Sequence, residues 1–273
     1  FVNTVEFMTP PISDRPSLTS PSAPSGEGAS DIDFGFARVP IAEKQGRVAE
    51  VFSSVAGSYD IMNDLMSGGI HRLWKGALMD WLAPRSGQKL VDLAGGTGDV
   101  ALRFLRRGGG SAHIVDINED MLNAGRKRRD LASYADRLTW TVASAEDIPI
   151  DDNSIERVTI SFGLRNVTDR QAALAEAHRI LKPGGRFCCL EFSHITTPAL
   201  GKIYDLWSFQ ALPRIGRIVA NDEAAYRYLV ESIRTFPTQQ ELADMFSQAG
   251  FAQVRVRNLS SGIAAIHSGW KLD

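Results

Sequence analysis

The pattern of apolar and polar positions becomes regular near residue 41. Beyond that point Val48, Val51 and Val55 recur at three- and four-residue spacing, which predicts an amphipathic helix. Further helical spacing continues as far as Pro84, where the segment ends. We therefore predict that residues 41–87 form a helical lead-in to the rest of the domain.

From residue 89 onward, short apolar runs alternate with stretches of helical spacing. This order predicts an α/β domain over 41–273, in which a mostly parallel sheet of seven strands carries helices on both faces. The predicted strands are 89–94, 112–117, 138–143, 156–162, 186–192, 251–258 and 262–269. The predicted helices are 98–107, 119–132, 169–181 and 239–249.

One segment interrupts this alternation. Residues 199–233 are rich in tryptophan, tyrosine, phenylalanine and isoleucine, with Pro213 and Gly216 between them. We predict a helical cap inserted over the carboxyl edge of the sheet. Its apolar side chains would either line a channel for an apolar substrate or form the core of the cap.

The first 40 residues differ in composition from the rest. They hold six of the twelve prolines and many serines, without helical or strand periodicity. We predict a disordered Pro/Ser-rich tail over 1–40. A cloning remnant before Met8 is a second interpretation, whereas the acidic residues of the tail disfavour a mitochondrial transit peptide.

Composition restricts the classes of function. A net charge of −2 over 273 residues offers no basic surface, so we expect no nucleic-acid partner. Cys188 and Cys189 are adjacent, which excludes a disulfide framework and predicts side chains on opposite faces of a strand. The five histidines show no metal-ligand spacing, so we expect no metal. No apolar run reaches the roughly 18 residues of a spanning helix.

A glycine turn follows the first predicted strand, in the run 92–99 (DLAGGTGD). Glycines there let the backbone approach a ligand, but the run also fits the dinucleotide pattern G-x-G-x-x-G/A. Asp99 at the helix start would repel a pyrophosphate and suits an amino-acid group, whose carboxylate the nearby N–H groups would receive. With the strand-end Asp92, this favours S-adenosylmethionine. An NAD-dependent oxidoreductase is the alternative.

Polar residues also end the next strands. Asp116 ends the second, where a buried carboxylate is costly, so we predict that it binds ribose hydroxyls. The third ends in Ser144–Ala145, which would face the adenine edge, and then in Glu146, which would either join them or lie in a solvated turn.

The fourth strand ends in the run 160–167 (ISFGLRNV). Ligands bind beyond the carboxyl ends of strands in open α/β sheets. We therefore expect Ser161, Arg165 and Asn166 to face the reaction space. The alternative for Arg165 is a surface ion pair with Asp169.

Several runs together resemble the ubiquinone/menaquinone biosynthesis C-methyltransferases, over about residues 41–272. They are 59–67 (YDIMNDLMS), 69–75 (GIHRLWK), 92–99 (DLAGGTGD), 160–167 (ISFGLRNV), 179–185 (RILKPGG), 212–216 (LPRIG), 226–229 (YRYL) and 265–269 (AIHSG). One departure is Ser144, where the family often has asparagine. The resemblance implies the Rossmann-like class I methyltransferase fold and S-adenosylmethionine as cofactor.

Together with the glycine turn, the resemblance gives a set of expected cofactor contacts. They are Asp92, Gly95, Gly96, Thr97, Gly98, Asp116, Ile117, Ser144, Ala145 and Ser161. The implied reaction places a methyl group on a ring carbon of a polyprenylated benzoquinol or of demethylmenaquinol. We expect Arg165 to stabilise the quinolate while Asn166 and Tyr59 orient the ring.

The resemblance also implies a polyprenyl quinol substrate, a homodimer and a bacterial cytoplasmic protein that contacts the inner membrane peripherally. Two alternatives stay open at this point. The chain could methylate another small hydrophobic phenol, or it could be a non-catalytic subunit of a quinone-making complex with this fold.

Overall fold

The computed structural model describes residues 31–55, 64, 67, 69–196 and 223–273. The strands in these ranges are β1 (Asp31–Phe34), β2 (Ala37–Pro40), β3 (Lys89–Leu93), β4 (Ser111–Asp116), β5 (Leu138–Val142), β6 (Ile155–Ser161), β7 (Leu181–Phe192), β8 (Ala252–Leu259) and β9 (Ala264–Trp270). The helices are α1 (Ile41–Val55), α2 (His71–Leu82), α3 (Asp99–Arg106), α4 (Glu119–Arg126), α5 (Arg170–Ile180), α6 (Glu223–Arg234) and α7 (Gln239–Gln248). Segments of 3-10 helix lie at Arg129–Arg137, Leu164–Asn166 and Ser260–Gly262.

The central sheet contains seven strands in the order β5-β4-β3-β6-β7-β9-β8. Strands β3 to β7 pair in parallel, and β9 is antiparallel to both β7 and β8. The predicted sheet of seven mostly parallel strands is thus confirmed. Strand β7 begins earlier than predicted, because Leu181 already pairs with Ile155 before the register shifts toward Arg186.

Helices cover both faces of the sheet and bury two apolar clusters. Phe104 of α3 belongs to the cluster on one face, and Phe246 of α7 to the cluster on the other. Cys188 lies in the first cluster and Cys189 in the second, which confirms that the adjacent thiols point to opposite faces. Burial raises the pKa of the Cys188 thiol to about 12, so this thiol is not a nucleophile.

The prediction of a disordered tail over 1–40 is wrong for its last ten residues. Strands β1 and β2 form an antiparallel hairpin, with Gly35 in its turn at a φ of +62°. Phe34 stacks on Tyr228 of α6 with ring centroids 4.3 Å apart, and Val39 is buried. The apolar alternation here is too short to stand out beside the Pro/Ser-rich composition that precedes it. Residues 1–30 lie outside the described ranges.

Most of the predicted helical cap, at 199–233, also lies outside the described residues, which resume at 223. From there α6 forms a helix whose Leu229 and Ile233 join one of the two apolar clusters. Among the helices that the structure describes, none has the length and apolar character needed to cross a bilayer.

Candidate active site

An open cavity, of about 1070 Å³ with the solvent space at its mouth included, lies at the carboxyl ends of β3, β4, β5 and β6. The strand order reverses between β3 and β6, and open α/β sheets bind ligands at such a point. Helix α1 covers one side, where Gln45, Val48 and Ala49 line the cavity. Of the ten predicted cofactor residues, nine line it: Asp92, Gly95, Gly96, Thr97, Asp116, Ile117, Ser144, Ala145 and Ser161.

The glycine turn after β3 brings the backbone itself to the cavity. A Cβ on Gly95 would come within 2.9 Å of the Asp92 carbonyl oxygen, and Gly96 has a φ of +51°. The close approach at Gly95 leaves no room for a side chain, and the left-handed φ of Gly96 favours glycine. Gly98, the tenth predicted residue, is different: a Cβ there would meet Trp140, and Gly98 does not line the cavity. Its φ of +79° serves the turn that starts α3 instead.

Asp116 reaches the cavity from the end of β4 with only 9% of its surface exposed. Its two carboxylate oxygens accept the N–H groups of Gly96 and Asn118, each at 2.8 Å. Burial raises the pKa of Asp116, and these hydrogen bonds offset part of that effect. Each oxygen keeps a further acceptor site. The side chain can therefore accept two hydroxyls of a ribose.

Asp92 lies at the buried end of β3, where Thr159 Oγ1 donates to its Oδ1 at 2.7 Å. Within the described part of the chain, its Oδ2 has no hydrogen-bond partner. Burial raises the pKa of Asp92 to about 7, although the Thr159 hydrogen bond and the Lys75 charge act to lower it. A carboxylate with an unsatisfied buried oxygen at a cavity wall is suited to a cationic ligand.

Lys75 of α2 also lines the cavity, although no role was predicted for it. Its Nζ donates to Asp99 Oδ2 at 2.8 Å. Burial acts to raise the pKa of Asp99, but the charges and hydrogen bonds of Lys75 and Arg103 outweigh it and lower the pKa to about 2. The sequence did carry a signal that Lys75 is buried. It lies three and four residues before the core residues Leu78 and Met79, and therefore on the same face of α2.

The loop after β5 lines the cavity through Ser144 and Ala145. Ser144 Oγ accepts the N–H of Glu146 at 3.2 Å, so its hydroxyl can still donate. Glu146 Oε1 accepts the N–H groups of Thr168 and Asp169 at 2.8 and 2.9 Å. Glu146 therefore connects this loop to the one before α5, and the alternative of a solvated turn is wrong for it.

The prediction that Arg165 faces the reaction space is also wrong. Its side chain is 0% exposed, and Nη1 donates to Glu191 at 2.7 Å and to the Phe162 carbonyl at 2.6 Å. The alternative surface pair with Asp169 is wrong too, since Asp169 caps the start of α5. Arg165 therefore forms a buried ion pair that joins the turn after β6 to Glu191 on the adjacent β7.

Asn166, the next residue, does line the cavity. Its Oδ1 accepts the hydroxyl of Tyr228 at 3.1 Å, which leaves the amide N–H groups as donors toward a ligand. Burial raises the pKa of Tyr228 to about 12, so the hydroxyl remains protonated. The predicted catalytic Tyr59 lies outside the described residues.

Comparison with known proteins decides the family. The ubiE/COQ5 methyltransferase family matches residues 41–271. The chain is 57% identical over 249 residues to the ubiquinone/menaquinone biosynthesis C-methyltransferase UbiE of Cereibacter sphaeroides, across 91% of this chain and 100% of that protein. The chain belongs to the ubiE/COQ5 methyltransferase family. The UbiE of Roseobacter denitrificans is 58% identical over 240 residues, or 88% of this chain and 96% of that protein.

Solved structures show the same fold at low identity. A SAM-dependent methyltransferase of Thermotoga maritima, described as a possible histamine N-methyltransferase, matches with a TM-score of 0.59 and 20% identity over 81% of this chain and 98% of that chain. A phosphoethanolamine N-methyltransferase of Haemonchus contortus, solved with S-adenosyl-L-methionine, has a TM-score of 0.55 and 16% identity. The match covers 73% of this chain and 52% of that chain. The predicted class I methyltransferase fold is confirmed.

The cavity of this ubiE/COQ5 family member suits the cofactor of its class. Asp92 Oδ2 and Ser161 Oγ are buried polar atoms at the cavity without partners in the described residues. Asp116 offers acceptors for a ribose, and Gly95 and Gly96 allow the backbone to lie close to a ligand. Among the described residues, no group of three or more histidine, cysteine or carboxylate side chains could hold a metal ion.

Proposed function

We propose that this protein transfers a methyl group from S-adenosylmethionine to a ring carbon of a polyprenylated quinol. The acceptor would be 2-polyprenyl-6-methoxy-1,4-benzoquinol, demethylmenaquinol or both. The observation that carries the proposal is the 57% identity, over the whole length of that relative, to a ubiquinone/menaquinone biosynthesis C-methyltransferase. The cavity supports it, because its polar groups at four strand ends match the parts of the cofactor.

When bound, S-adenosylmethionine supplies a methyl group on a positively charged sulfur. The carboxylates of Asp92, Asp99 and Asp116 line the cavity and would favour a ligand that carries this positive charge. Asp116 would hold the ribose, while Ser144–Ala145 would hold the adenine edge. Fixing the donor in this way favours in-line attack on the methyl group, and positioning contributes much of the rate in such reactions.

The acceptor carbon becomes nucleophilic when a neighbouring ring hydroxyl, with a pKa of roughly 10, loses its proton. We assign Asn166 to that oxygen, because donors fixed at a cavity wall stabilise charge as it develops. Tyr228 fixes the orientation of the Asn166 amide through its hydrogen bond to Oδ1. In this proposal Arg165 is a positioning residue whose pair with Glu191 holds the turn, and Tyr59 remains a predicted contact to the ring.

The long isoprenoid tail of such a substrate partitions into lipid. We therefore propose that the protein is a bacterial cytoplasmic one, and that it meets its substrate as a peripheral protein at the inner membrane. Cosedimentation with anionic phospholipid vesicles tests this, and recovery of all the protein in the supernatant would contradict it. A homodimer remains a prediction from the family resemblance.

The direct test is methyl transfer by the purified protein from isotopically labelled S-adenosylmethionine to short-chain benzoquinol and demethylmenaquinol acceptors kept reduced. We expect the label on a ring carbon of the product, located by mass spectrometry and NMR. The fully methylated quinol is the control acceptor, because its ring position is already occupied. Label on a hydroxyl oxygen, label only on unrelated phenols, or cofactor binding without any transfer would each overturn the proposal.

A further inference from the structure

The charges that line the cavity are unequal in number. Four carboxylates, those of Asp92, Asp99, Asp116 and Glu146, accompany a single cation, Lys75, among the described lining residues. S-adenosylmethionine has the opposite distribution, since its sulfonium and ammonium groups are positive and only its α-carboxylate is negative. Four carboxylates suit the two positive groups. A cation is the strongest partner for the negative group.

The glycine turn offers few donors for that carboxylate. The N–H groups of Gly95, Gly96 and Gly98 already donate within the protein, to the Val115 carbonyl, to Asp116 Oδ2 and to the Gly95 carbonyl. These three amides are therefore not available to receive the carboxylate. The N–H groups at the start of α3 are uncharged, so a charged partner for the carboxylate has to be a side chain.

Lys75 is held at the cavity wall by its ion pair with Asp99. Its side chain is only 5% exposed, and Asp99 at the start of α3 accepts one of the ammonium hydrogens at 2.8 Å. An ammonium group has three donors. A buried cation forms shorter and stronger hydrogen bonds with a carboxylate than a neutral donor does.

We infer that Lys75 binds the α-carboxylate of S-adenosylmethionine, and that Asp99 fixes the Lys75 ammonium and accepts from the ammonium group of the ligand. The inference rests on the proposed cofactor and adds the recognition of its amino-acid end.

The experiment compares two ligands that differ only in the carboxylate. Dissociation constants of S-adenosylhomocysteine and of its decarboxylated analogue, S-adenosyl-3-thiopropylamine, are measured by titration calorimetry for the wild-type protein and for Lys75→Gln. We expect Lys75→Gln to weaken S-adenosylhomocysteine by about tenfold to a hundredfold, as expected for a hydrogen bond between charged groups. Binding of the amine should not weaken, so the preference of the wild type for the carboxylate-bearing ligand should disappear.

Arg103→Gln is the matched control. Arg103 also contacts Asp99, at 3.2 Å, but it is not among the residues that line the cavity. We expect this variant to retain the wild-type preference between the two ligands. Lys75→Arg, which keeps the charge, should retain part of it.

Two outcomes would overturn the inference. One is an equal loss of affinity for both ligands in Lys75→Gln, and the other is an unchanged affinity for S-adenosylhomocysteine. Failure of the proposed cofactor would look different, because the wild-type protein would then bind neither ligand. Amine binding at wild-type affinity would show that the variant is folded.

Discussion

The turns after β3 and β4 and the turn after β6 lie side by side at the carboxyl ends of neighbouring strands, yet their charged residues are used in opposite ways. After β3 and β4, Asp99 and Asp116 reach the cavity. After β6, Arg165 does not line the cavity but forms a buried pair with Glu191, and the neutral Asn166 reaches the cavity instead.

The difference follows from the path of the backbone. The glycine turn brings the main chain close to the cavity, so short side chains such as those of Asp99 and Asp116 are long enough to reach it. The turn after β6 is a single 3-10 turn, Leu164–Asn166, in which successive side chains project about 120° apart. Adjacent residues then meet different surroundings. The ends of the strands therefore predict where a ligand binds. They do not predict which side chain of a following turn contacts that ligand.

The variant with the largest expected effect breaks the buried pair of Arg165 and Glu191. Arg165→Ala leaves the Glu191 carboxylate buried without its partner, so we expect the free energy of unfolding in urea to fall by about 3–5 kcal/mol. The double variant Arg165→Met with Glu191→Leu removes both charges and should recover most of that stability. If Arg165→Ala abolished turnover at unchanged stability, the guanidinium would act at the cavity, and the contrast between the turns would be lost.

The neighbouring position should show the opposite profile. Asn166→Ala removes the proposed donor to the quinol oxygen, so we expect kcat to fall about a hundredfold with the Kd of S-adenosylhomocysteine nearly unchanged. The free energy of unfolding should fall by only about 1 kcal/mol, for one neutral hydrogen bond to Tyr228. Asn166→Asp keeps the acceptor for Tyr228 without the donor and should be as slow as the alanine variant. Normal turnover in Asn166→Asp would exclude the donor role.

The smallest expected effect concerns Asp92 in the cavity and is a pH dependence of cofactor binding. Burial places the pKa of Asp92 at about 7, so the carboxyl is protonated in acid and ionised above that value. A cationic cofactor favours the ionised form, and its binding therefore releases a proton below about pH 7. The affinity for S-adenosylmethionine should fall by up to about tenfold per unit as the pH is lowered through this range, and it should level off above it.

The control for this pH dependence is Asp92→Asn, which cannot ionise. It should bind S-adenosylmethionine more weakly than the wild type at neutral pH, with little change between pH 6 and 8. A wild-type affinity that stayed constant over the same range would show that Asp92 is already ionised or does not sense the ligand.

Most of the fold and the cofactor side of the cavity were predictable because their determinants are local. Asp92 and Asp116 end strands whose apolar runs are explicit, and the glycines follow directly. Lys75 was missed because its partner Asp99 is 24 residues away, on another helix. Arg165 was misplaced because Glu191 lies 26 residues later, on a strand that pairs only in the folded sheet. A lone carboxylate within the apolar run of β7 was the available signal.

The hairpin at 31–40 precedes the segment that matches the family, residues 41–271. Its Phe34 nevertheless stacks on Tyr228, whose hydroxyl holds Asn166. Trimming the gene to the family-matching segment would remove an aromatic side chain that stands two contacts from Asn166, the proposed donor to the quinol. Where a recombinant form begins is thus an enzymological choice as well as one of yield and solubility.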